Sequence, residues 1–351
     1  GAWLPLEDVD ATAIAPAEWA DAVARWVGEQ LGAAVPHARA PWARSGWFAS
    51  ATRWMEESAR ANDLVPRGKP ELVEQWPLSA VLTVETDAGH VYLKAVFAIF
   101  RHEPALTRAL AARHPGLVPG VLATDEERGL MLMRELAGQP LGDAPVERWG
   151  AGLRAVTHPP GLAGRVPELA SLGAHDRTLA ALAGEIRGVG EACGLTGDEG
   201  ARYDAALPEL ERRLELLGEA SVPQTLVHGD LHPWNVMLDG DDVVIFDWSD
   251  GCVSHPFFDL LTFLTRTDDE SARPTLLDAY LEAWTDVAPL PELRRLYGLA
   301  APLAHVHHAI SYQRIGAALE PEDRGTFQGA PARYLEGALD LLDESGRAAP
   351  V

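Results

Sequence analysis

The chain has 351 residues, 47% of them hydrophobic, and its 52 acidic and 29 Lys and Arg side chains give a formal net charge of −23. That length fits two lobes, or one domain with an extension, and the composition is that of a globular protein. So negative a chain repels nucleic acid, and neither DNA nor RNA is expected as a partner. The charge serves either solubility or the attraction of a cationic substrate, and the sequence leaves both readings open.

The cysteine content and the hydropathy indicate the cellular compartment in which the protein is expected. Cys193 and Cys252 are the only cysteines, which supports neither a disulfide framework nor a cysteine zinc site. No apolar run approaches the roughly 18 residues of a membrane helix, and the first residues lack the basic and apolar regions of a signal peptide. We therefore expect a cytoplasmic protein without a membrane partner. The oligomeric state is left open.

Residues 1–70 are predicted to form a helical extension. Helical spacing recurs in 16–31 and in 41–59. In the first segment three residues share one helix face: Trp19, Val23 and Trp26. We expect two helices packed on a neighbouring lobe, with an aromatic ligand box as the alternative. The segment 62–70, with two prolines and a glycine, is interpreted as the linker out of the extension.

Residues 71–133 change to a strand pattern and predict a small antiparallel sheet. In the strand 90–97, alternation puts Tyr92 and Lys94 on one face and their apolar neighbours on the other. A lysine between apolar residues is costly to bury unless it meets an anion. The alternative is a solvent-facing lysine on an edge strand.

The end of this region predicts a helix at 103–112, followed by two strands at 118–123 and 130–133. Glu103 begins the helix, where a carboxylate also suits the helix dipole, so its role is either local or functional. The turn-rich segment 134–140 is predicted to be the hinge between lobes. Residues 141–351 then form a mostly helical lobe around a central hairpin.

The hairpin is predicted from two apolar runs, 236–238 and 243–246, that an Asp/Gly-rich turn separates. If the residues on either side of this turn are paired, the register of the hairpin places Asn235 beside Phe246 and Asp247 at the open end of the hairpin. The side chains of Asn235 and Asp247 can therefore reach one ion.

Asp230 precedes Asn235 by five residues in a segment that a glycine and a proline keep from forming a helix or a strand. With Asp247, these residues form a sparse set of oxygen donors, which suits Mg²⁺ on a nucleotide better than a bare metal site. Phosphoryl transfer requires in-line positioning, neutralised phosphates and an acceptor for the hydroxyl proton. Together with Lys94, the set could supply all of these.

The segment HGDLHPWNVML, followed by IFDWSD, resembles the catalytic loop and metal-binding turn of the aminoglycoside phosphotransferase and choline kinase-like family. These enzymes are small-molecule relatives of the protein kinases. The resemblance covers roughly residues 70–320. It implies an α+β, bilobal protein-kinase-like fold, with a small antiparallel-sheet N-lobe and a mainly helical C-lobe, to which this chain adds the N-terminal helical extension.

The resemblance also implies roles for residues of the hairpin region. Asp230 orients or deprotonates the acceptor hydroxyl, and His228 is an orienting residue rather than a reacting one. Asn235 and Asp247 hold Mg²⁺. Asp259 is similar to the family aspartate that braces the catalytic loop.

For the nucleotide, ATP or GTP, the resemblance implies that Lys94 contacts the α and β phosphates with Glu103 as its partner. Backbone groups of the hinge residues meet the adenine, and these residues include Met133, Glu135 and Leu136. No GxGxxG motif precedes Lys94, and the equivalent turn, 76–80, includes Ser79.

Acceptor-binding candidates lie beside Asp230 and in the C-terminal helices: His232, Trp234, Trp248, Asp250, His305, His308 and Tyr312. A polar, aromatic wall suits a hydroxylated ligand such as a sugar, a nucleoside or an antibiotic built from them. His305 and His308 could instead form an interhelical pair. Trp234 stands where many family members have a small residue, which would narrow the cleft.

The sequence thus predicts an ATP-dependent kinase that phosphorylates a hydroxyl of a small molecule, with an antibiotic as the leading acceptor. A metabolic kinase for a sugar, an amino alcohol or a similar compound is the alternative. Two other classes are weighed against it. One is a hydrolytic metal cluster of His228, Asp230 and His232; the other is a catalytically silent nucleotide-binding scaffold.

Overall fold

The computed structural model describes residues 20–156, 166–171 and 173–348. Within these ranges the helices are α1 (Ala20–Gln30), α2 (Trp47–Ala61), α3 (Glu103–Arg113), α4 (Trp149–Val156), α5 (Val166–Ser171), α6 (Leu179–Ala192), α7 (Gly197–Gly218), α8 (Asp259–Thr265), α9 (Arg273–Leu281), α10 (Leu290–Ala318) and α11 (Ala330–Ala348). The strands are β1 (Pro66–Gln75), β2 (Ser79–Thr86), β3 (Gly89–Val96), β4 (Val121–Asp125), β5 (Leu130–Arg134), β6 (Gln139–Pro140), β7 (His175–Asp176), β8 (Thr225–Val227), β9 (Val236–Asp239), β10 (Asp242–Ile245) and β11 (Cys252–Ser254).

The first half of the chain builds a five-stranded antiparallel sheet in the order β1-β2-β3-β5-β4. Its alternation is the predicted one. Val91, Leu93 and Ala95 are buried in the core under the sheet, whereas Tyr92 and Lys94 line a cavity on the opposite face. The small antiparallel sheet and the helical C-terminal region confirm the predicted α+β, protein-kinase-like fold.

The edge strand β1 corrects the prediction of a linker at 62–70, because the strand already begins at Pro66. Prolines are tolerated on an edge strand, where their missing N–H faces no partner. The register also shifts between Arg67 and Glu71, and Gly68 within that shift has φ +90°. The irregular pairing thus accommodates, within a strand, the prolines and the glycine on which the linker prediction was based.

Helix α2 packs on the sheet through Ala51, Met55 and Ala59, all of which are fully buried. The helix predicted at 41–59 thus runs instead from Trp47 to Ala61, and it packs on the sheet as expected. The other helix was predicted at 16–31, and the described part of that segment contains helix α1. Residues 16–19, including Trp19, lie outside the described residues.

The second half of the chain is a helical lobe around the small sheets formed by β6 to β11. Its core joins α6, α7, α10 and α11 to the hairpin β9–β10. The long helix α10 also reaches the other core, because Ile315 and, just beyond the helix, Leu319 and Phe327 are buried among the residues under the five-stranded sheet. No helix in the described ranges has the length and apolar character needed to cross a membrane.

Candidate active site

A cavity of about 380 Å³ separates the open face of the five-stranded sheet from the hairpin β9–β10. A pocket of this size accommodates a cofactor-sized ligand. Its walls include seven of the residues singled out from the sequence: Ser79, Lys94, Glu103, Met133, Glu135, Leu136 and Asp247. The sheet, helix α3, the hinge and the hairpin thus bring residues that are up to 168 positions apart to one cavity, from Ser79 to Asp247.

Lys94 forms two ion pairs at one end of this cavity. Its Nζ donates to Oε1 of Glu103 at 2.8 Å and to Oδ1 of Asp247 at 2.7 Å. The side chain of Glu103 is fully buried, and that of Lys94 is 9% exposed. The ion pair between Lys94 and Glu103, which the sequence left undecided, is therefore formed. Of the two alternatives for Lys94, the structure shows a buried lysine that meets anions rather than a lysine that faces solvent.

Ser249 completes this network, although the sequence analysis did not single it out. Its Oγ lies 3.1 Å from Nζ of Lys94, 2.7 Å from Oε2 of Glu103 and 2.8 Å from Oδ1 of Asp247. A hydroxyl has one proton and two lone pairs, so Ser249 accepts from the lysine and donates to one carboxylate at a time. Its position two residues after Asp247 was the only signal in the sequence.

The network sets the protonation of its members. Burial disfavours the charged form of Lys94, but the negative charges of Asp247 and Glu103 outweigh this effect and raise the pKa of the ammonium. Burial likewise opposes ionisation of Asp247, yet Lys94 and Ser249 lower the pKa of that carboxyl to about 2. For the fully buried Glu103, burial is the larger effect and raises its pKa. Lys94 and Asp247 are therefore a charged pair at neutral pH.

The catalytic loop is tied to the hairpin by His228. Its Nε2–H donates to the carbonyl oxygen of Phe246 at 2.9 Å, and its Nδ1 accepts the amide N–H of Asp230 at 3.3 Å. These partners assign the tautomer, since a carbonyl only accepts and an amide only donates. Burial lowers the pKa of the imidazole and keeps it neutral. His228 therefore orients Asp230 relative to Asp247 and has no nitrogen left for a metal or a proton transfer.

Asp259 also holds the loop that carries Asp230. Its two carboxylate oxygens accept the amide N–H groups of His228 and Gly229, at 2.9 and 2.8 Å. Burial raises the pKa of Asp259 to about 7, against the two backbone donors, which favour the ionised form. Gly229 has φ +81°, and a Cβ there would lie 2.3 Å from the carbonyl oxygen of Asp250. The loop therefore has room for glycine only.

The hairpin has the predicted register, with Leu238 opposite Val243 and the amide of Phe246 bonded to the carbonyl of Asn235. Asp247 follows in the left-handed region at φ 65°, which a non-glycine residue adopts only where its surroundings enforce it. This turn points its carboxylate into the cavity beside Lys94.

Oxygen donors for a divalent cation are present on the hairpin. Nδ2 of Asn235 donates to the carbonyl of Asp230 at 3.0 Å, a bond that does not use its Oδ1. In the part of the chain that the structure describes, no hydrogen bond engages Oδ1 of Asn235 or Oδ2 of Asp247. One amide and one carboxylate oxygen fit Mg²⁺ that is completed by water and phosphate oxygens. Among the described residues, no group of three or more His, Cys, Asp or Glu side chains is placed to hold a metal ion by itself.

Two tyrosines stack on each other, Tyr312 of α10 and Tyr334 of α11, with ring centroids 5.3 Å apart and an interplanar angle of 21°. Burial raises the pKa of both phenols, and the charge of Asp230 adds to the rise for each. The field of the carboxylate therefore reaches this aromatic pair. Tyr312 was a predicted acceptor residue; Tyr334 was missed, because only the packing of α11 on α10 brings it there.

Three predicted acceptor residues are wrong. Trp248 is 3% exposed, and its indole donates to the carbonyl of Ile245, so it belongs to the core. His308 is 4% exposed, stacks on Tyr334 and is bonded to Thr262. His305 lines a separate cavity between helices of the C-terminal region. Helical periodicity correctly put His305, His308 and Tyr312 on one side of α10, but helix α11 covers most of that side.

The other predicted acceptor residues lie close to Asp230. Nε2 of His232 is 3.8 Å from Oδ2 of Asp230. Burial raises the pKa of Asp250 to about 7, and the charges of Asp230 and Asp247 add to the rise. Trp234 is 41% exposed, and its indole donates to Asp143 at 3.1 Å. For these residues a role in acceptor binding stays a prediction.

Trp234 also explains a glycine after the hinge. A Cβ at Gly142 would lie 2.4 Å from the indole ring, so the tryptophan packs directly on the backbone there. Its ring meets Trp149 edge-on at 6.3 Å. The tryptophan that departs from the common pattern thus fixes the catalytic loop to the segment that leaves the hinge.

Comparisons with known proteins agree with this geometry. A macrolide 2′-phosphotransferase from Brachybacterium faecium superposes with a TM-score of 0.53 at 19% identity, over 80% of this chain and 97% of that one. A choline kinase from Streptococcus pneumoniae gives 0.59 at 14% identity, over 83% and 98%. A spectinomycin phosphotransferase in complex with ADP and spectinomycin gives 0.51 at 9% identity, over 84% and 98%. These likenesses establish the shared fold.

None of the curated proteins compared with the chain matches its sequence significantly. The sequence model of the APH phosphotransferase enzyme family, however, matches residues 79–299. That match spans more than half of the chain and contains Lys94, Asp230 and Asp247. It shows that this chain belongs to the phosphotransferase enzyme family.

Proposed function

We propose that the protein transfers the γ-phosphoryl group of ATP to a hydroxyl of a small molecule, with an antibiotic as the leading acceptor. The observation that carries this proposal is the Lys94–Glu103–Asp247 network at one end of a nucleotide-sized cavity. A scaffold without turnover needs no second carboxylate on the adjacent loop, yet Asp230 lies there, held by His228 and Asp259.

In this proposal each residue has a defined task. Lys94 exchanges its bond to Asp247 for the α and β phosphates, while Glu103 keeps the ammonium in place. Asn235 and Asp247 would hold Mg²⁺, which neutralises phosphate charge when bound. Asp230 accepts the proton of the attacking hydroxyl and aims its oxygen at the phosphorus atom.

The nucleotide base lies at the hinge. Met133, Glu135 and Leu136 line the cavity, and backbone groups there can pair with adenine. Guanine presents a different donor and acceptor pattern, and nothing in this wall distinguishes GTP from ATP. Measuring both nucleotides in the same assay decides between them.

The acceptor side suits a hydroxylated compound that carries a protonated amine. The carboxylate of Asp230 supplies negative charge, and Asp250, whose pKa burial raises to about 7, adds a carboxyl group that is partly ionised at neutral pH. The net charge of −23 would draw such a compound to the protein. Amino-sugar antibiotics have these groups.

A metabolic kinase for an amino alcohol is the second candidate, because the same groups would suit a small amine. The similarity to a choline kinase, with a TM-score of 0.59, supports it. An acceptor screen separates the two. ADP release in the presence of antibiotics, with a product heavier by about 80 Da for one phosphoryl group, is the expected result. ADP release with common metabolites alone would contradict the antibiotic assignment.

The metal assignment has its own test. Asp247→Ala should abolish Mg²⁺-dependent turnover, while Asp239→Ala, on the exposed turn of the same hairpin, should leave the Mg²⁺ titration unchanged. An unaltered Mg²⁺ titration in Asp247→Ala would contradict the assignment.

A further inference from the structure

The turn that covers the phosphate end of the cavity differs from a glycine-rich loop. It joins β1 to β2 and contains Trp76, whose indole donates to Oγ of Ser79 at 2.6 Å. The amide of Trp76 also donates to the carbonyl of Ser79 at 3.0 Å, which closes the turn. Both side chains line the nucleotide-sized cavity. A bulky ring thus occupies the place where flexible glycines would be expected.

Trp76 is not held by its own lobe alone. Its ring lies 6.0 Å from that of Phe327, at an interplanar angle of 52°. Phe327 belongs to the connector between α10 and α11, residues 319–329. Its side chain is buried in the core under the five-stranded sheet, whereas most buried residues of α10 and α11 belong to the core of the helical lobe. It does not line the nucleotide-sized cavity. The contact therefore links the phosphate-covering turn to the helical lobe.

From Phe327 the aromatic contacts continue towards the acceptor side. Tyr312 lies 6.0 Å from Phe327, and Tyr334 lies 5.3 Å from Tyr312. The rings form one row from Trp76 to the pair beside Asp230. Trp76 itself is 41% exposed, so its position depends on the contact with Phe327 and the bond to Ser79 rather than on a surrounding core.

The connector is also anchored on its outer side. Arg39 donates to Glu320 of the connector at 2.6 Å and makes two bonds to Glu29 of α1, at 2.7 and 2.9 Å. These side chains are 12%, 10% and 7% exposed, so the ions are largely withdrawn from water. The N-terminal extension therefore holds the connector in place.

We propose that Phe327 is a positioning residue that keeps Trp76 over the phosphates and couples the acceptor wall to the nucleotide site. The proposal rests on the nucleotide function proposed above. The covering turn lacks the backbone freedom of glycines, so its position depends on the ring that supports it.

The test measures the affinity of purified protein for two probes by titration calorimetry. One probe is a non-hydrolysable ATP analogue with Mg²⁺, and the other is adenosine, which reaches only the hinge end. Phe327→Ala should bind the analogue about three- to tenfold more weakly, as expected for the loss of an aromatic contact, and should bind adenosine as the wild type does. Phe327→Tyr should restore the affinity.

A matched control is Phe48→Ala, which removes an exposed phenylalanine of α2 that is 45% exposed. Trp76→Ala should show the same selective loss, and the double variant should lose little more than either single one, since both remove the same contact. If Phe327→Ala does not fold, Phe327→Leu retains volume without the ring and serves instead.

The outcomes are separable. A wild-type protein that binds neither probe contradicts the proposed function itself. A wild-type protein that binds both, with a folded Phe327→Ala or Phe327→Leu variant of unchanged affinity, contradicts the role of Phe327 alone. Equal weakening of both probes would show a general structural effect and would also overturn the coupling.

Discussion

The two ends of the active site are built on different physical principles. At the nucleotide end, charged groups are buried and paired, with Lys94 between Glu103 and Asp247 and the hydroxyl of Ser249 bridging them. At the acceptor end, the rings of Tyr312 and Tyr334 stack on each other, and burial together with the charge of Asp230 raises the pKa of both phenols. The first end is specified by charge pairs and the second by shape.

This difference separates what is common to the reaction from what selects the acceptor. Phosphate groups are the same in every reaction of this class, so a fixed charge network can meet them. Acceptors differ in shape, and an aromatic wall on two helices can be altered without disturbing that network. Variants at the two ends should therefore fail in different ways.

The largest effect is expected for Asp230→Asn. The amide cannot take a proton, so turnover should fall by about 10²- to 10⁴-fold, while the affinity for Mg-nucleotide remains close to that of the wild type. Single-turnover kinetics and calorimetry measure the two quantities. Asp239→Asn on the exposed hairpin turn is the matched control. Near-normal kcat in Asp230→Asn would refute its role as the base.

Lys94→Met tests the nucleotide end. Removing the ammonium leaves buried Glu103 without its ion pair, and breaking such a pair costs about 3–5 kcal/mol of unfolding free energy. The nucleotide affinity should fall in the same variant. Adding Glu103→Gln should regain part of the stability but none of the affinity, as urea unfolding and calorimetry can establish.

The control for this experiment is Lys69→Met, since exposed Lys69 is the only other lysine in the sequence. It should change neither quantity. Full stability of Lys94→Met would mean that the network does not hold this end of the site together.

The free energy of unfolding should depend on pH through His308, which stacks on Tyr334 behind the acceptor end. Burial lowers its pKa to about 3, so the unfolded chain takes up the proton at a pKa near 6.5 and the folded chain does not. Its contribution to stability is present above pH 6.5 and is lost as the pH falls towards 3. Between pH 7 and pH 5 the loss amounts to roughly 2 kcal/mol.

His308→Gln should remove that part of the pH dependence of urea unfolding, whereas His37→Gln, at an exposed position, should not. An identical slope for wild type and His308→Gln between pH 7 and pH 5 would contradict the neutral, buried histidine.

The smallest effect is expected for Ser249→Ala. Glu103 would lose a donor worth about 0.5–1.5 kcal/mol, and the KM for nucleotide should rise more than kcat falls. Ser249→Thr keeps the hydroxyl and should restore the wild-type values, and the exposed Ser171→Ala serves as control. A failure of threonine to rescue would assign the effect to packing rather than to the hydrogen bond.

Local patterns were sufficient for the nucleotide end. The hairpin register, the face of Lys94 and the start of α3 follow from periodicity and turn residues within about ten positions of each other. The Lys94–Glu103 pair was open in the sequence, and the structure formed it because β3 and α3 line the same cavity and bring the two side chains to 2.8 Å. Ser249 was recoverable only from its closeness to Asp247.

The acceptor end could not be predicted in the same way. Periodicity put His305, His308 and Tyr312 on one side of α10, but it could not show that α11 buries His308 and brings Tyr334 beside Tyr312. Trp248 follows Asp247 directly, yet the left-handed backbone at Asp247 turns its neighbour into the core. Both outcomes depend on contacts between elements that are distant in the chain.

By itself, the sequence determined the class of chemistry, because HGDLHPWN and IFDWSD place the reacting groups within one hairpin and its preceding loop. Their spacing is local, and local hydrogen bonds fix it. Only the tertiary structure decided that Tyr334 stacks on Tyr312 and that Phe327 contacts Trp76. Those contacts arise from the packing of α10, α11 and their connector, whose burial depends on the whole core rather than on any one segment.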